Sequence, residues 1–170
     1  VDFVKTAREA IREIGYVNDD DVFHADRVFV NVIVTQQSPD IAQGVDARAA
    51  KGKKKAEQGA GDQGLMFGYA CDETPSLMPM PIFLAHKLME ELAVLRRGHT
   101  ISSLRPDAKS QVTVLYENDR PVRVDRVVVS TQHNPSITQD DLAEFLEEAL
   151  IRPLLDKYMP NSKPELLINP

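Results

Sequence analysis

The chain has 170 residues, of which 42% are hydrophobic and 27% are charged, a composition typical of a globular protein with a sizeable core. The formal net charge of −6 argues against a general nucleic-acid surface, which needs a basic face. No stretch approaches the roughly 20 apolar residues that cross a bilayer, and a single cysteine, Cys71, cannot form an internal disulfide, so a reducing cytoplasm is the expected location.

The first predicted elements are a helix, a turn and a strand. Gly15 is placed to end the helix, and Asn18 to Asp21 is polar turn material. Val28 to Thr35 alternates β-branched residues with others, which predicts a strand. The helix is predicted from apolar residues at helical spacing: Val4, Ala7, Ile11 and Ile14.

From Gln36 to Gln58 the sequence shows no periodicity. Ser38-Pro39-Asp40 indicates a turn, and Lys51 to Lys55 holds four lysines in five positions, which should stay solvated. A loop of this length inside a compact domain is usually functional or disordered.

A glycine-rich run follows, in which Gly59, Gly61 and Gly64 satisfy the pattern G-x-G-x-x-G of dinucleotide-binding folds. That interpretation requires a strand before the glycines and a helix after them. Here a lysine-rich polar stretch precedes them, and Leu65 to Ala70 is predicted to be a short buried strand. The context therefore excludes a Rossmann fold.

The second half of the chain predicts helix, strand, strand, helix and strand. Arg96-Arg97-Gly98 ends the first of these helices, and Asn118 to Pro121 joins two strands into a hairpin. Thr138 with Asp141 resembles a helix-capping arrangement. The segments behind these predictions are an apolar stripe (Ile82, Ala85, Leu88, Met89, Leu92, Leu95), strands 112–116 and 122–131, a second stripe (Leu142, Phe145, Leu146, Ala149, Leu150) and strand 166–168.

This order predicts an α+β fold, with helices packed on one face of mixed, mostly antiparallel sheets. The elements of residues 1–70 repeat part of the scheme, so both segments are open to interpretation as β-α-β units.

Several segments are candidates for a functional site. The four histidines lack metal-ligand spacing, and the serines show no nucleophile-elbow pattern. Arg105 to Gln111 places two cations and an acid in a proline-bent turn before a strand, which is either a salt-bridged turn or an anion pocket. Gln36 to Ile41 leaves a strand for the long loop, as substrate-positioning segments do. Asp62, an acid between glycines, has few partners other than a cation, a backbone cap or a ligand.

These segments together resemble the S-adenosylmethionine synthetase (methionine adenosyltransferase) family. The resemblance runs through the whole chain in order. It rests on the stretches Arg12 to Tyr16, Gln37 to Asp46, Gly59 to Ala70, Leu104 to Val112, Ser130 to His133 and Ile168 to Pro170.

The resemblance implies an enzyme that joins methionine to the adenosyl group of ATP. Gln37 would contact methionine, Asp62 would lie near methionine and ribose, and Lys109 would contact the ATP phosphates. Asp62 and Lys109 would be the catalytic residues, and Asp107, Ala108 and Lys109 would bind ATP. The gate over the site would consist of Gln37, Ser38, Pro39, Asp40, Ile41, Ala42, Gln43, Gly44, Val45 and Asp46.

The resemblance also implies Mg²⁺ and K⁺ as cofactors, and a homodimer or homotetramer with active sites between subunits. The metal ligands of the family match no segment of this sequence, so they are expected outside it. On the family plan, residues 1–58 (with the gate at about 37–58) are part of one α+β domain, 59–80 add a strand to another, and 81–170 form an α+β domain.

Because part of the catalytic set is missing, we expect the chain to be an internal piece that is inactive alone. The alternatives are a non-catalytic or regulatory subunit that keeps the fold, and a generic nucleotide-binding module. Neither a nucleic acid nor a membrane is an expected partner.

Overall fold

The computed structural model describes residues 1–46 and 58–170. Contacts divide the chain into a main unit, Val1–Phe29 with Tyr69–Pro170, and a second unit, Val30–Gly68. Within the described residues, no helix has the length and apolar character needed to cross a membrane.

Helix α1, Phe3–Ile14, begins the main unit and confirms the first predicted helix. The Asp2 side chain caps it by accepting a hydrogen bond from the Lys5 N–H at 2.9 Å. Gly15 ends it with φ = 115°, a left-handed conformation that a residue without a Cβ adopts readily. None of its residues is fully buried, so the apolar stripe is only partly covered.

Helix α3, Met80–Arg97, confirms the second predicted helix, including the basic last turn before Gly98. It packs against β1, Leu104–Glu117, which forms an antiparallel hairpin with β2, Arg120–His133. The predicted hairpin is confirmed, but its strands are longer than the sequence indicated. A two-residue turn, Asn118-Asp119, joins them with φ values of 49° and 60°.

The last helical run has three parts: α4, Gln139–Leu146; a π-helical turn, Glu147–Ile151; and α5, Arg152–Tyr158. The predicted cap is confirmed, because the Asp141 N–H donates to Oγ1 of Thr138 at 3.1 Å. The Arg152 N–H bonds to the carbonyl of Glu147, five residues back. Pro153 is the next residue and has no N–H to donate, so it cannot make the hydrogen bond of a regular α-helix. The wider π-helical turn accommodates this missing donor.

Strand β3, Glu165–Ile168, pairs in parallel with β2 and gives the sheet order β1-β2-β3. Side chains from α3, from the last helical run and from one face of this sheet form an apolar core, which confirms the α+β prediction. Its most deeply buried members are Leu84, Leu88, Leu142, Leu146, Leu150, Ile151, Val124, Val127 and Val129.

Two predicted strands are wrong. Val28 to Thr35 and Leu65 to Ala70 have no strand structure, and most of their large side chains are exposed, with Phe29 at 88% and Phe67 at 92%. A strand requires a neighbour for its backbone hydrogen bonds, and no described residue provides one for either segment.

In the second unit, the predicted turn at Ser38 is also wrong. Ser38 instead caps α2, Pro39–Val45, since its Oγ accepts from the Asp40 N–H at 3.3 Å. A proline in the first turn suits a helix start because that N–H would have no helical partner. The lysine run Lys51 to Lys55 lies outside the described residues, and the domain boundaries stay a prediction.

Candidate functional site

The predicted ATP-binding segment lies at the start of β1, the strand at one edge of the sheet. Leu104 pairs with His133 and Ala108 with Thr131, so β1 carries two more residues than β2 over this stretch. The segment that was predicted to be a turn before the strand is therefore a bulge within it. Proline is tolerated on an edge strand, where its missing N–H breaks no ladder, and Pro106 lies inside this bulge.

The bulge places Asp107 and Lys109 on the same face of the sheet, where both side chains are exposed. Ala108 and Ser110 alternate with them and are half-buried on the other face. The hydroxyl of Ser110 donates to the carbonyl of Ala85 in α3 at 2.8 Å, which identifies that other face as the helix side. The open face therefore presents a carboxylate and an ammonium group.

Arg105, next to this pair, is buried and turned toward a different partner. Its Nη2 donates to both carboxylate oxygens of Asp20 at 3.0 Å, and its Nε lies 3.3 Å from Oδ1 of Asp21. The salt bridge of this segment thus reaches back to residues 20 and 21 and does not join its own charges. The sequence predicts turn material at Asp20 and Asp21, and its only indication of a cationic partner is the run of acids at 19–21.

An open cavity of about 220 Å³ adjoins Asp107. Tyr16 and Phe23 stack edge to face there, with ring centroids 5.1 Å apart. Burial raises the pKa of Tyr16, and the negative charge of Asp107 raises it further, so the phenol stays protonated. The lining residues are Tyr16, Asp21, Val22, Phe23, Asp107 and Gln132.

The remaining predicted site residues belong to the second unit. Gln37 is exposed and lies just before Ser38, the cap of α2, so the described gate segment is mainly a short helix. Asp62 is exposed, and its Oδ1 accepts from the Gln63 N–H at 2.7 Å. Of the three partners expected for this acid, a cation, a backbone cap or a ligand, the structure shows a local backbone contact.

Among 1–46 and 58–170, no group of three or more His, Cys, Asp or Glu side chains is placed to hold a metal ion. The donors needed for a magnesium site are therefore not gathered in this part of the chain.

The comparisons with known proteins all identify the same family. The family described as "S-adenosylmethionine synthetase, central domain" matches residues 57–170. A protein of Akkermansia muciniphila named S-adenosylmethionine synthase is 54% identical over 173 residues. Proteins of the same name from two strains of Streptococcus equi subsp. zooepidemicus are 49% identical over 175 residues. The alignment with each of these three relatives covers 100% of this chain but only 44% of the relative's length.

Proposed function

The chain belongs to the S-adenosylmethionine synthetase family, and from that premise we propose that it supplies substrate-binding residues for the synthesis of S-adenosylmethionine from ATP and L-methionine. The methionine sulfur attacks C5′ of the ribose and expels the whole triphosphate. The sulfur becomes a sulfonium, the C5′–O bond breaks, and the triphosphate is then hydrolysed to phosphate and diphosphate.

This chemistry matches the kinds of residue in the chain. A thioether is a neutral nucleophile and needs no base to remove a proton. The reaction instead requires alignment of sulfur, carbon and leaving oxygen, together with stabilisation of the charge that grows on the triphosphate.

The observation that carries the proposal is the pairing of Arg105. Because Arg105 is engaged by Asp20 and Asp21, the interpretation of Arg105 to Gln111 as a self-contained salt-bridged turn loses its central ion pair. Asp107 and Lys109 are left exposed on one face of an edge strand. Lys109 is proposed to contact the phosphates as a point charge, and Asp107 and Ala108 to contact the rest of the nucleotide.

In the second unit, Gln37 is proposed to contact methionine through its side-chain amide. Asp62 is proposed to favour the sulfonium as its positive charge forms. The segment Gln37 to Asp46 is proposed to act as a gate that reduces access of water. Exposure of Gln37 and Asp62 is compatible with these roles, because both side chains are open to a ligand.

The proposal assigns no metal ligand to the described residues and no chemical step to a metal. Mg²⁺ and K⁺, a homo-oligomer with sites between subunits, and a cytoplasmic location stay predictions from the resemblance. The chain spans 44% of each relative's length, and a non-catalytic subunit that keeps the fold stays the alternative.

A chimera tests the function directly. This chain replaces the matching segment of the Akkermansia muciniphila relative, and S-adenosylmethionine formed from ATP and methionine is measured by chromatography. We expect turnover by the chimera and none by the 170-residue chain alone. A folded chimera without turnover would favour the non-catalytic subunit, and robust turnover by the chain alone would refute the proposal that it supplies only part of the site.

Calorimetry separates the third possibility. The chimera is titrated with a non-hydrolysable ATP analogue in the presence and absence of methionine. A generic nucleotide-binding module would bind the analogue with no effect of methionine, whereas a synthetase binds both ligands.

A further inference from the structure

A buried guanidinium lies beside the proposed ATP-binding segment and does not itself face solvent. The Arg105 side chain is 7% exposed, and its nearest acids are Asp20, 52% exposed, and Asp21, 3% exposed. Nη1 also donates to the carbonyls of Ser102 at 3.1 Å and Leu104 at 3.2 Å. The guanidinium donors therefore have protein acceptors, which argues against Arg105 as a direct phosphate ligand.

The acids that contact Arg105 belong to a loop that is held by several internal hydrogen bonds. Oδ2 of Asp21 accepts from the backbone N–H of Asn18 at 2.9 Å and from its side-chain amide at 3.1 Å. Arg27 donates to the carbonyls of Asp19 at 2.9 Å and Asp21 at 3.2 Å. This loop is thus a fixed anchor for the guanidinium.

The contact lies where the backbone of β1 departs from regular pairing. Between Leu104 and Ala108 the ladder with β2 is interrupted by the bulge, so ladder hydrogen bonds do not set the position of Asp107. Arg105 is two residues before Asp107 and four before Lys109. Its contacts replace the missing ladder as the constraint on this stretch.

We infer that Arg105 is a positioning residue, which acts through its contacts with Asp20 and Asp21 to hold Asp107 and Lys109 in the orientation that binds ATP. The inference rests on the proposed function, and it adds residues 20, 21 and 105 to the groups that determine affinity for the nucleotide. The forked guanidinium of Arg105 makes the arrangement depend on geometry as well as charge. Its Nη2 donates to Asp20 while its Nε contacts Asp21, and the single ammonium nitrogen of lysine cannot reproduce this separation of donors.

Two graded variants test it in the chimera. Arg105→Lys keeps the charge but removes the fork, and Asp20→Asn removes the exposed acid while leaving the buried contact with Asp21. Displacement of catalytic groups by about 1 Å can lower rates on the order of 100-fold, so we expect KM for ATP to rise roughly 10-fold or more in Arg105→Lys and less in Asp20→Asn. KM for methionine should stay within about twofold of the parent, because the change lies in the ATP-binding segment. KM is the chosen readout because a loss of active protein lowers the rate without altering KM.

Two controls exclude a merely structural effect. Arg126→Lys makes the same chemical change in an exposed pair with Glu165 on the same sheet. Leu146→Ala destabilises the core at a buried residue of α4, outside the strand that contains the bulge. Neither should alter KM for ATP.

A double-mutant cycle supplies the decisive readout. If Arg105 acts through the segment that carries Lys109, the effects of Arg105→Lys and Lys109→Ala on ATP-analogue affinity will not add. Additive effects, or an unchanged KM for ATP in folded Arg105→Lys, would overturn the inference. Should Arg105→Lys fail to fold, Asp20→Asn combined with Lys109→Ala decides the same question.

Hydrogen exchange separates this inference from the proposed function. Amides at positions 107–110 should exchange faster in Asp20→Asn than in the parent, whether or not ATP binds. If the parent chimera neither binds nor turns over ATP, the proposed function fails, and the positioning of residues 107–109 for ATP fails with it. If the parent binds ATP but the exchange rates and KM are unchanged in the variants, only the role of Arg105 is refuted.

Discussion

The hydroxyl of Tyr116 donates a 2.6 Å hydrogen bond to Oε2 of Glu73. The same oxygen accepts from the backbone N–H of Met80, the first residue of α3, at 2.8 Å. Pro79, which precedes that helix, offers no side-chain cap, so the carboxylate of Glu73 satisfies an N–H that the helix leaves open. A single carboxylate oxygen thus joins β1 to the start of α3.

This relationship predicts a pH-dependent stability. The hydrogen bond from Tyr116, followed by that from Met80, lowers the pKa of Glu73. A lowered folded-state pKa contributes stability that is present above the ordinary carboxyl pKa and is lost as pH falls through the folded value. Tyr116→Phe should therefore destabilise the protein at neutral pH, with an effect that shrinks on acidification.

Urea unfolding at neutral and acidic pH measures the difference. Tyr69→Phe, at an exposed position of the main unit, serves as the matched control and should show no such dependence. An equal loss of stability by Tyr116→Phe at both pH values would contradict the assignment of Glu73 as the titrating partner.

The end of α1 provides a backbone prediction. Gly15 has φ = 115°, and an added Cβ would lie 2.5 Å from Nη1 of Arg96. Left-handed conformations cost L-residues about 1–2 kcal/mol, so Gly15→Ala should lower the free energy of unfolding by at least about that amount. Gly68→Ala is the control, because its Cβ would meet open space. Similar unfolding free energies for the two variants would show that the conformation at Gly15 is not strained for alanine.

The core provides a packing prediction. Leu146 has no exposed surface and lies in α4, where it belongs to the apolar core shared with β2. Truncation of a fully buried leucine leaves a cavity and typically costs about 2–5 kcal/mol, so Leu146→Ala should reduce the free energy of unfolding in urea by that range. Val94→Ala removes an exposed side chain from α3 and should have little effect. If Leu146→Ala cost no more than Val94→Ala, the placement of α4 in the core would be wrong.

Local patterns explain which elements could be predicted from the sequence. The stripe of α3, the cap at Thr138 and the turn at Asn118-Asp119 each depend on residues within a few positions of one another. Alternation at Val28 to Thr35 indicates β propensity, but it does not identify a partner strand. A strand prediction there failed because pairing is a long-range property that no local pattern contains.

The candidate site shows the same limit. The motif drew attention to Asp107 and Lys109, but the bulge that presents them follows from register with β2. The partner of Arg105 lies 85 residues away at Asp20, a separation that spacing rules do not reach. The sequence could therefore suggest the chemistry of the segment, but not which charges neutralise one another.

Lys109 carries the prediction that bears most directly on function. If its ammonium contacts the triphosphate as negative charge develops, Lys109→Ala should cost roughly 2–4 kcal/mol of transition-state stabilisation, on the scale of losing one oxyanion donor. The loss would appear in kcat/KM for ATP in the chimera, with KM for methionine little changed. Gln111→Ala is the matched control, because Gln111 is exposed two residues further along β1. Removal of a phosphate contact that forms in the transition state must lower kcat/KM. Equal kcat/KM values for the two variants would therefore show that Lys109 is a solvated surface charge.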